Sequence, residues 1–212
     1  MGSGWCMIKS NDEAYILGLW CADGYHRTSS VGLSNINPEL IRRFSEFLRS
    51  QYPPHRLRLR IYIPDGAVVD DGLLGSIAKT KCCKVRKARR TAYHIYVNSR
   101  PLLRSFIKAR NERLQMKRDF ILPYIAGRFD GDGSVNSNLK KDFRIVYRNY
   151  EDAESDSRLL RRIHPYRISI YRYKKARTYC VYVSQKDAPK LAKELLPYSA
   201  NLQAMTTSPR RD

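Results

Sequence analysis

The hydrophobic pattern changes period several times along the chain. From Ala14 to Ala22 the residues are almost continuously apolar (AYILGLWCA), preceded by Ser10 and Glu13 at capping-box spacing and followed by Gly24. This predicts a short helix closed by a left-handed glycine. Residues 25–35 suit a strand or hairpin, and Asn37-Pro38-Glu39 then opens a helix with Leu40, Ile41, Phe44 and Leu48 on one face. Pro53-Pro54 ends it. The stretch RLRLRIYI (56–63) alternates basic and apolar residues with period two. It predicts a strand with its apolar face inward and Arg56, Arg58 and Arg60 outward. A second strand, TAYHIYVNS (91–99), leads into a helix around 101–110. The same order then recurs: a polar hairpin region after Asp132, a helix near 151–163, strands YRISIYRY (166–173) and TYCVYVS (178–184), and a helix near 187–196. The closing TTSPRRD reads as a frayed tail.

The recurrence is visible in the residues themselves. AYILGLWCADGY (14–25) and PYIAGRFDGDGS (123–134) share Tyr15/Tyr124, Ile16/Ile125, Gly18/Gly127, Asp23/Asp132 and Gly24/Gly133, all at one offset (132 − 23 = 109). The first strand of each half keeps nearly that spacing, but the second strands are separated by only 86 residues (179 − 93). The first half therefore carries about 24 extra residues, placed within 64–86 and read as a long loop or hairpin tip with basic flanks. Two halves follow, 1–115 and 116–212, each α+β.

Gly18/Ala22 and Gly127/Gly131 set small residues four apart on one face of each motif helix, so that the two backbones can approach closely. Each helix would then end in an aspartate at the negative end of its dipole. Two such acids side by side are electrostatically awkward. A divalent cation relieves the conflict, and hard oxygen ligands suit Mg²⁺.

Charge narrows the partner. Forty Lys and Arg against twenty Asp and Glu leave +20, an excess that points to a polyanion rather than to a merely solubilised surface. A two-stranded ribbon fits the major groove of B-DNA, which makes Arg56, Arg58, Arg60, Arg167, Ser169 and Tyr171 candidates for reading base edges. The basic strips KCCKVRKARR (81–90), with Lys84, Lys87 and Arg89, and KKAR (174–177), with Lys174, Lys175 and Arg177, suit phosphate contacts. No apolar run reaches the roughly 18 residues of a membrane span, and the start lacks a signal-peptide core. Five cysteines, with no C-x-x-C, disfavour a disulfide framework and a structural zinc site and imply a reducing, intracellular setting. His26, His55, His94 and His164 are scattered. DGDGS (130–134) is not a calcium loop, because Val135 and Lys141 occupy the positions that need glycine and glutamate.

ILGLWCADG (16–24) and IAGRFDGDG (125–133) resemble the nine-residue motif of the LAGLIDADG homing endonuclease family. Two copies in one chain are similar to its monomeric, pseudo-symmetric members. Cys21 and Arg128 replace common motif residues, and the sixth position is acidic only in the second copy, at Asp130. The resemblance implies two αββαββα halves packed through the motif helices, each with a curved antiparallel DNA-binding sheet. The implied activity is Mg²⁺-dependent hydrolysis of one phosphodiester in each strand of a long asymmetric target, with Mn²⁺ or Ca²⁺ able to occupy the same site. Asp23 and Asp132 would bind metal, assisted by the carbonyls of Ala22 and Gly131. Lys117 is the catalytic-lysine candidate, and Asn35, Arg148 and Asn149 are candidates for orienting water. Double-stranded DNA is the expected partner of a monomer serving intron mobility, with the chain's own intron RNA as a further possibility. The alternative on the same fold is a non-cutting intron RNA-splicing maturase or a DNA-binding regulator.

Overall fold

A computed structural model of the chain describes residues 8–25, 29–66, 80–135 and 142–207. Helix α1 (Asn11–Asp23) starts just after Ser10, whose Oγ accepts the Glu13 N–H at 3.2 Å, while Glu13 Oε2 accepts the Lys9 N–H at 2.5 Å. Every residue from Ala14 to Trp20 is buried, as befits a helix apolar on all sides and therefore central. Helix α4 (Arg118–Asp132) is its counterpart and begins five residues before the repeated phrase; Pro123 lies inside it. The residues Pro123 to Asp130 are all buried.

The small-residue face predicts close packing of these two helices, and they meet backbone to backbone. A Cβ added at Gly18 would lie 1.9 Å from the Tyr124 carbonyl oxygen, and one at Gly127 would lie 2.0 Å from that of Tyr15. No side chain fits between them.

The left-handed glycine expected after the first motif is absent. Among the described residues only Gly66, at φ 82°, is a glycine with positive φ. Gly24 instead opens β1 (Gly24–Tyr25), and Gly133 opens β6 (Gly133–Val135) in extended conformation. Space explains the second glycine: a Cβ on Gly133 would come within 2.4 Å of the Phe129 carbonyl oxygen.

After α1 come β1, β2 (Ser30–Asn35), α2 (Pro38–Gln51, capped by Asn37), β3 (Arg58–Pro64), β4 (Thr80–Val85), β5 (Ala92–Asn98) and α3 (Arg100–Asn111). After α4 come β6, β7 (Phe143–Tyr147), α5 (Tyr150–Ile163), β8 (Ile168–Tyr173), β9 (Thr178–Val183), α6 (Ala188–Leu195) and α7 (Ala200–Thr207). One sheet has the order β1-β2-β5-β3-β4, the other β6-β7-β9-β8. Setting β4 aside, the two orders are the same. In each sheet one face is apolar: Val31, Leu33, Leu59, Ile61, Ile95 and Val97 in the first, Phe143, Ile145, Val181 and Val183 in the second. Helices α2 and α5 pack on these faces.

Three expectations change. The insertion is not only a loop, because Thr80–Val85 pairs parallel with β3, from Leu59↔Thr80 to Pro64↔Val85, as a fifth edge strand. TKCCKV is exposed at most positions and so carries no period-two signal; residues 67–79 lie outside the described set. Arg56 falls in a 3₁₀ turn (Pro54–Arg56) before β3, with its guanidinium 5.1 Å from the Tyr52 ring and donating to the Asn98 carbonyl. The expected tail begins within helix α7.

The chain forms two compact units. One comprises residues 23–107; the other takes everything up to Ala22 together with Lys108 onward, so α1 packs with the second-half elements. Among the described residues no helix is long and apolar enough to cross a membrane.

Candidate active site and nucleic-acid interface

Asp23 is the last residue of α1. The pairing Gly24↔Leu33 between β1 and β2 draws the end of β2 toward it, and Asn35 Nδ2 donates to Asp23 Oδ2 at 2.6 Å. Asn35 Oδ1 accepts the Asn37 N–H at 2.7 Å, which fixes the amide orientation so that its NH₂ faces the carboxylate. Asn35 therefore stands in hydrogen-bond contact with one motif acid.

Asp132, the last residue of α4, stands in different company. One turn back, Arg128 Nη1 lies 4.0 Å from its Oδ2. Burial pushes the Asp132 carboxyl above its ordinary range, and the charges of Arg128 and Arg148 pull it back. Arg128 is itself buried, its Nε 3.2 Å from Asp156 Oδ2 and its guanidinium 4.5 Å over the Tyr147 ring. Asp156 also accepts from the Tyr124 hydroxyl at 3.0 Å and has Arg113 Nε at 3.3 Å. Arg113 and Arg110 both hold Asp152 at 2.6 Å. Burial raises the Asp156 carboxyl, and Arg128 and Arg113 oppose that shift. Nearby, burial drives the Cys21 thiol up to about 11, which makes it inert.

The polar faces of the sheets carry basic and aromatic residues together. On β3 and β5, Arg60 lies 5.4 Å over the Tyr96 ring, and His94 Nδ1 meets the Ser34 hydroxyl. Burial and the Arg60 charge push the His94 imidazole down, which keeps it neutral at ordinary pH. On the other sheet Arg144 lies 5.9 Å over Tyr182, beside exposed Ser169 and Tyr171. Lys84 on β4, Lys87 and Arg89 in the turn after it, and Lys174, Lys175 and Arg177 in the β8–β9 turn are all exposed. Arg58 is half-buried and donates to the His55 and Leu57 carbonyls, and Arg167 is tied to Asp187 through its backbone N–H and Nε. These bonds, and the position of Arg56 in its turn, leave Arg60 as the outward arginine of the predicted strand trio.

No protein-family model matches the sequence, and no curated protein matches it. Solved structures do match. The homing endonuclease I-DmoI in complex with DNA and Ca superposes with a TM-score of 0.65 at 18% identity, covering 93% of this chain and 98% of that one. I-DmoI in complex with DNA and Mn gives 0.61 at 19% identity, with 88% and 96% covered. Full-length DUF199/WhiA from Thermatoga maritima gives 0.60 at 13% identity, covering 94% of this chain and 60% of that one. This is the LAGLIDADG fold.

Within that fold the remaining expected residues separate. Ala22 and Gly131 sit in the last turn of their LAGLIDADG helices, where carbonyls have no partner further along the helix. Asn149 caps α5, accepting the Asp152 N–H at 2.8 Å and donating to the Asp152 carboxylate at 3.0 Å, so a water-orienting role is replaced by a structural one. Lys117 precedes α4, at the end opposite Asp132. A rise of 1.5 Å per residue puts them roughly 20 Å apart, beyond a lysine's reach, so Lys117 does not act on that acid. Asp130, the extra acid of the second motif, is buried and committed elsewhere: its carboxylate accepts from the Tyr15 hydroxyl at 2.6 Å, the Ser199 hydroxyl, and the Ala200 and Asn201 N–H groups at 2.7 and 3.3 Å. It caps α7 onto the motif helix. Sequence reasoning missed this clamp and the Arg128–Asp156 pair because their partners lie 69 and 28 residues away with no periodic signal.

Proposed function

We propose that the chain is a site-specific, double-strand DNA endonuclease in which Asp23 and Asp132 are the metal-binding acids. The observation that carries this is the pair of LAGLIDADG helices in backbone contact, each ending in an aspartate that is not fully buried. The donor set suits the group: carboxylates and orphan carbonyls of Ala22 and Gly131 are hard oxygens, matched to Mg²⁺, Mn²⁺ or Ca²⁺ and poor for soft ions. Among the described residues no three His, Cys, Asp or Glu side chains cluster as a metal cage, so water and DNA phosphate would complete the coordination. When bound, such ions stabilise the attacking and leaving oxygens of an in-line phosphodiester displacement.

The chain's own residues have separable tasks. Asn35 holds the Asp23 carboxylate in one rotamer through its amide N–H. Arg148, exposed beside Asp132, is suited to a phosphate or a water there. Arg60, Ser169, Tyr171 and Arg144 present donors and ring faces to base edges, while Lys84, Lys87, Arg89, Lys174, Lys175 and Arg177 grip backbone phosphates. Each such face would engage about one helical turn, roughly 10 base pairs, with the chain acting as a single copy inside the cell. I-DmoI, the structural neighbour, is a homing endonuclease seen with its target DNA, which favours cutting over a splicing or regulatory role.

Asp23→Asn and Asp132→Asn test the reading on DNA carrying the uninterrupted junction that flanks the reading frame. Both variants should bind that DNA and fail to linearise it with Mg²⁺; full cutting by both variants would refute the assignment.

A further inference from the structure

The polar faces of the two sheets share one register but differ in chemistry at one rung. AYHIYVN on β5 and TYCVYVS on β9 align so that Cys180 is the counterpart of His94. In the first sheet His94 pairs with Ser34 of β2 and Arg60 of β3. In the second, Cys180 pairs with Val146 of β7 and Tyr171 of β8. The first rung is thus a hydroxyl, an imidazole and a guanidinium; the second is an isopropyl group, a thiol and an aromatic ring. Alternation along the strands sets Val146 and Cys180 on the face opposite Ile145 and Val181, away from the core. Val146 is 37% exposed and Tyr171 52%, while Cys180, on the strand between them, is 2% exposed.

A lone apolar side chain on a sheet surface is ordinary. Three that adjoin across three strands, on a face that is otherwise basic, are not. The fold does not demand them, because the equivalent rung of the first sheet is polar. Nor do they suit a phosphate, since valine has no donor and the thiol is buried. The next rung is Arg144, Tyr182 and Ser169. There Arg144 is tied to Asp142 and lies 5.9 Å over the Tyr182 ring, and the Tyr171 ring meets Tyr182 edge-on with centroids 6.1 Å apart. Tyr171 is therefore braced rather than loose. In the major groove every base pair offers polar groups, and the one apolar group is the C5-methyl of thymine. Cytosine carries only a hydrogen at that position and would leave the apolar rung unfilled.

We propose that Val146 and Tyr171, flanking Cys180, form a thymine-reading subsite that selects the C5-methyl group in the major groove. This rests on the DNA-reading assignment of the sheet faces and deepens it. The corresponding rung of the first half, Ser34, His94 and Arg60, offers donors and acceptors instead, so the two halves call for different bases at corresponding places in the target. Val146 and Tyr171 determine specificity and take no part in hydrolysis.

The test uses the full-length protein in EDTA, so that no cutting intervenes. Duplexes recovered from a random library define a consensus. One selected duplex is then remade with deoxyuridine in place of thymine, one position at a time, which deletes only the methyl group. At one thymine this exchange should weaken binding about fourfold, the effect of uncovering one buried methyl. Val146→Ala should bind the two duplexes nearly equally at that position and keep its discrimination at the others. A consensus in which no exchange of thymine for deoxyuridine matters would overturn the inference and leave DNA recognition standing. So would a methyl-sensitive position that Val146→Ala and Tyr171→Ala both leave unchanged. Recovery of no consensus would overturn it together with the base-reading assignment of the sheets. The deoxyuridine series uses the wild-type chain, so the decision does not hang on whether a variant folds.

Discussion

Single residues divide between those that touch the motif acids and those that hold the helices in place. Asn35 belongs to the first group, and its effect is separable from DNA affinity. Asn35→Ala should lower the cleavage rate by about tenfold, with DNA binding nearly unchanged, since groups that orient metal ligands typically carry that weight. An unaltered single-turnover rate would remove Asn35 from the site. Asp130 belongs to the second group. Its replacement by alanine strands the Ser199 hydroxyl and two backbone N–H groups at the start of α7, and should cost about 3 kcal/mol of stability in urea unfolding. Sequence alone points to Asp23 and Asp132 because the repeat doubles them. It points to Asn35 through its place at the end of a strand. It marks Arg128 and Asp130 only as departures within the repeat and not what they do, since a buried charge is recognisable only from the partner that compensates it, and Asp156 lies on another helix.

At the level of elements, the periodic signals are faithful where one face is buried and fail where none is. The helices α2, α3 and α5 and the strands β2, β5 and β9 have apolar faces and are legible, whereas β7 falls in a stretch read only as a polar hairpin region. The edge strand β4 has almost no buried position and is held by its ladder with β3, which no residue pattern announces. Helix α7 is similar: beside its local cap, the Ser199 hydroxyl that accepts the Leu202 N–H, its first two N–H groups are satisfied from a carboxylate on α4 that no local pattern announces. The contact of α1 with α4 is the most demanding element-level feature. Gly127→Ala would bring a methyl carbon within 2.0 Å of a carbonyl oxygen on the facing helix. The helices would have to part by more than an ångström, at a cost of about 3 kcal/mol, readable as a fall in the urea midpoint. Gly18→Ala should behave alike. Wild-type stability in either variant would mean that the helices do not touch there.

For the molecule as a whole, charge and repetition act together. A +20 chain with exposed cations on β4, in its following turn and in the β8–β9 turn should lose affinity for DNA steeply with salt. If roughly six to ten phosphates are neutralised, the plot of log affinity against log salt should slope between roughly −5 and −9. A slope near zero would mean the basic residues are not the interface. The overall plan was readable because repetition made each half a check on the other, down to the missing spacing that became β4. The buried Arg128 beside Asp132 was not, because the halves differ there by a single buried side chain.

The glycine contact between α1 and α4 has one more consequence. Carbonyl oxygens, rather than exchangeable side chains, set the gauge between these helices. On the proposed DNA-binding reading, strand residues can accordingly be rewritten in bulk while the α1–α4 contact keeps its dimensions. Re-targeting by mutation would therefore begin at Arg60, Tyr96, Arg144 and Tyr182 and leave residues 15–19 and 124–128 untouched.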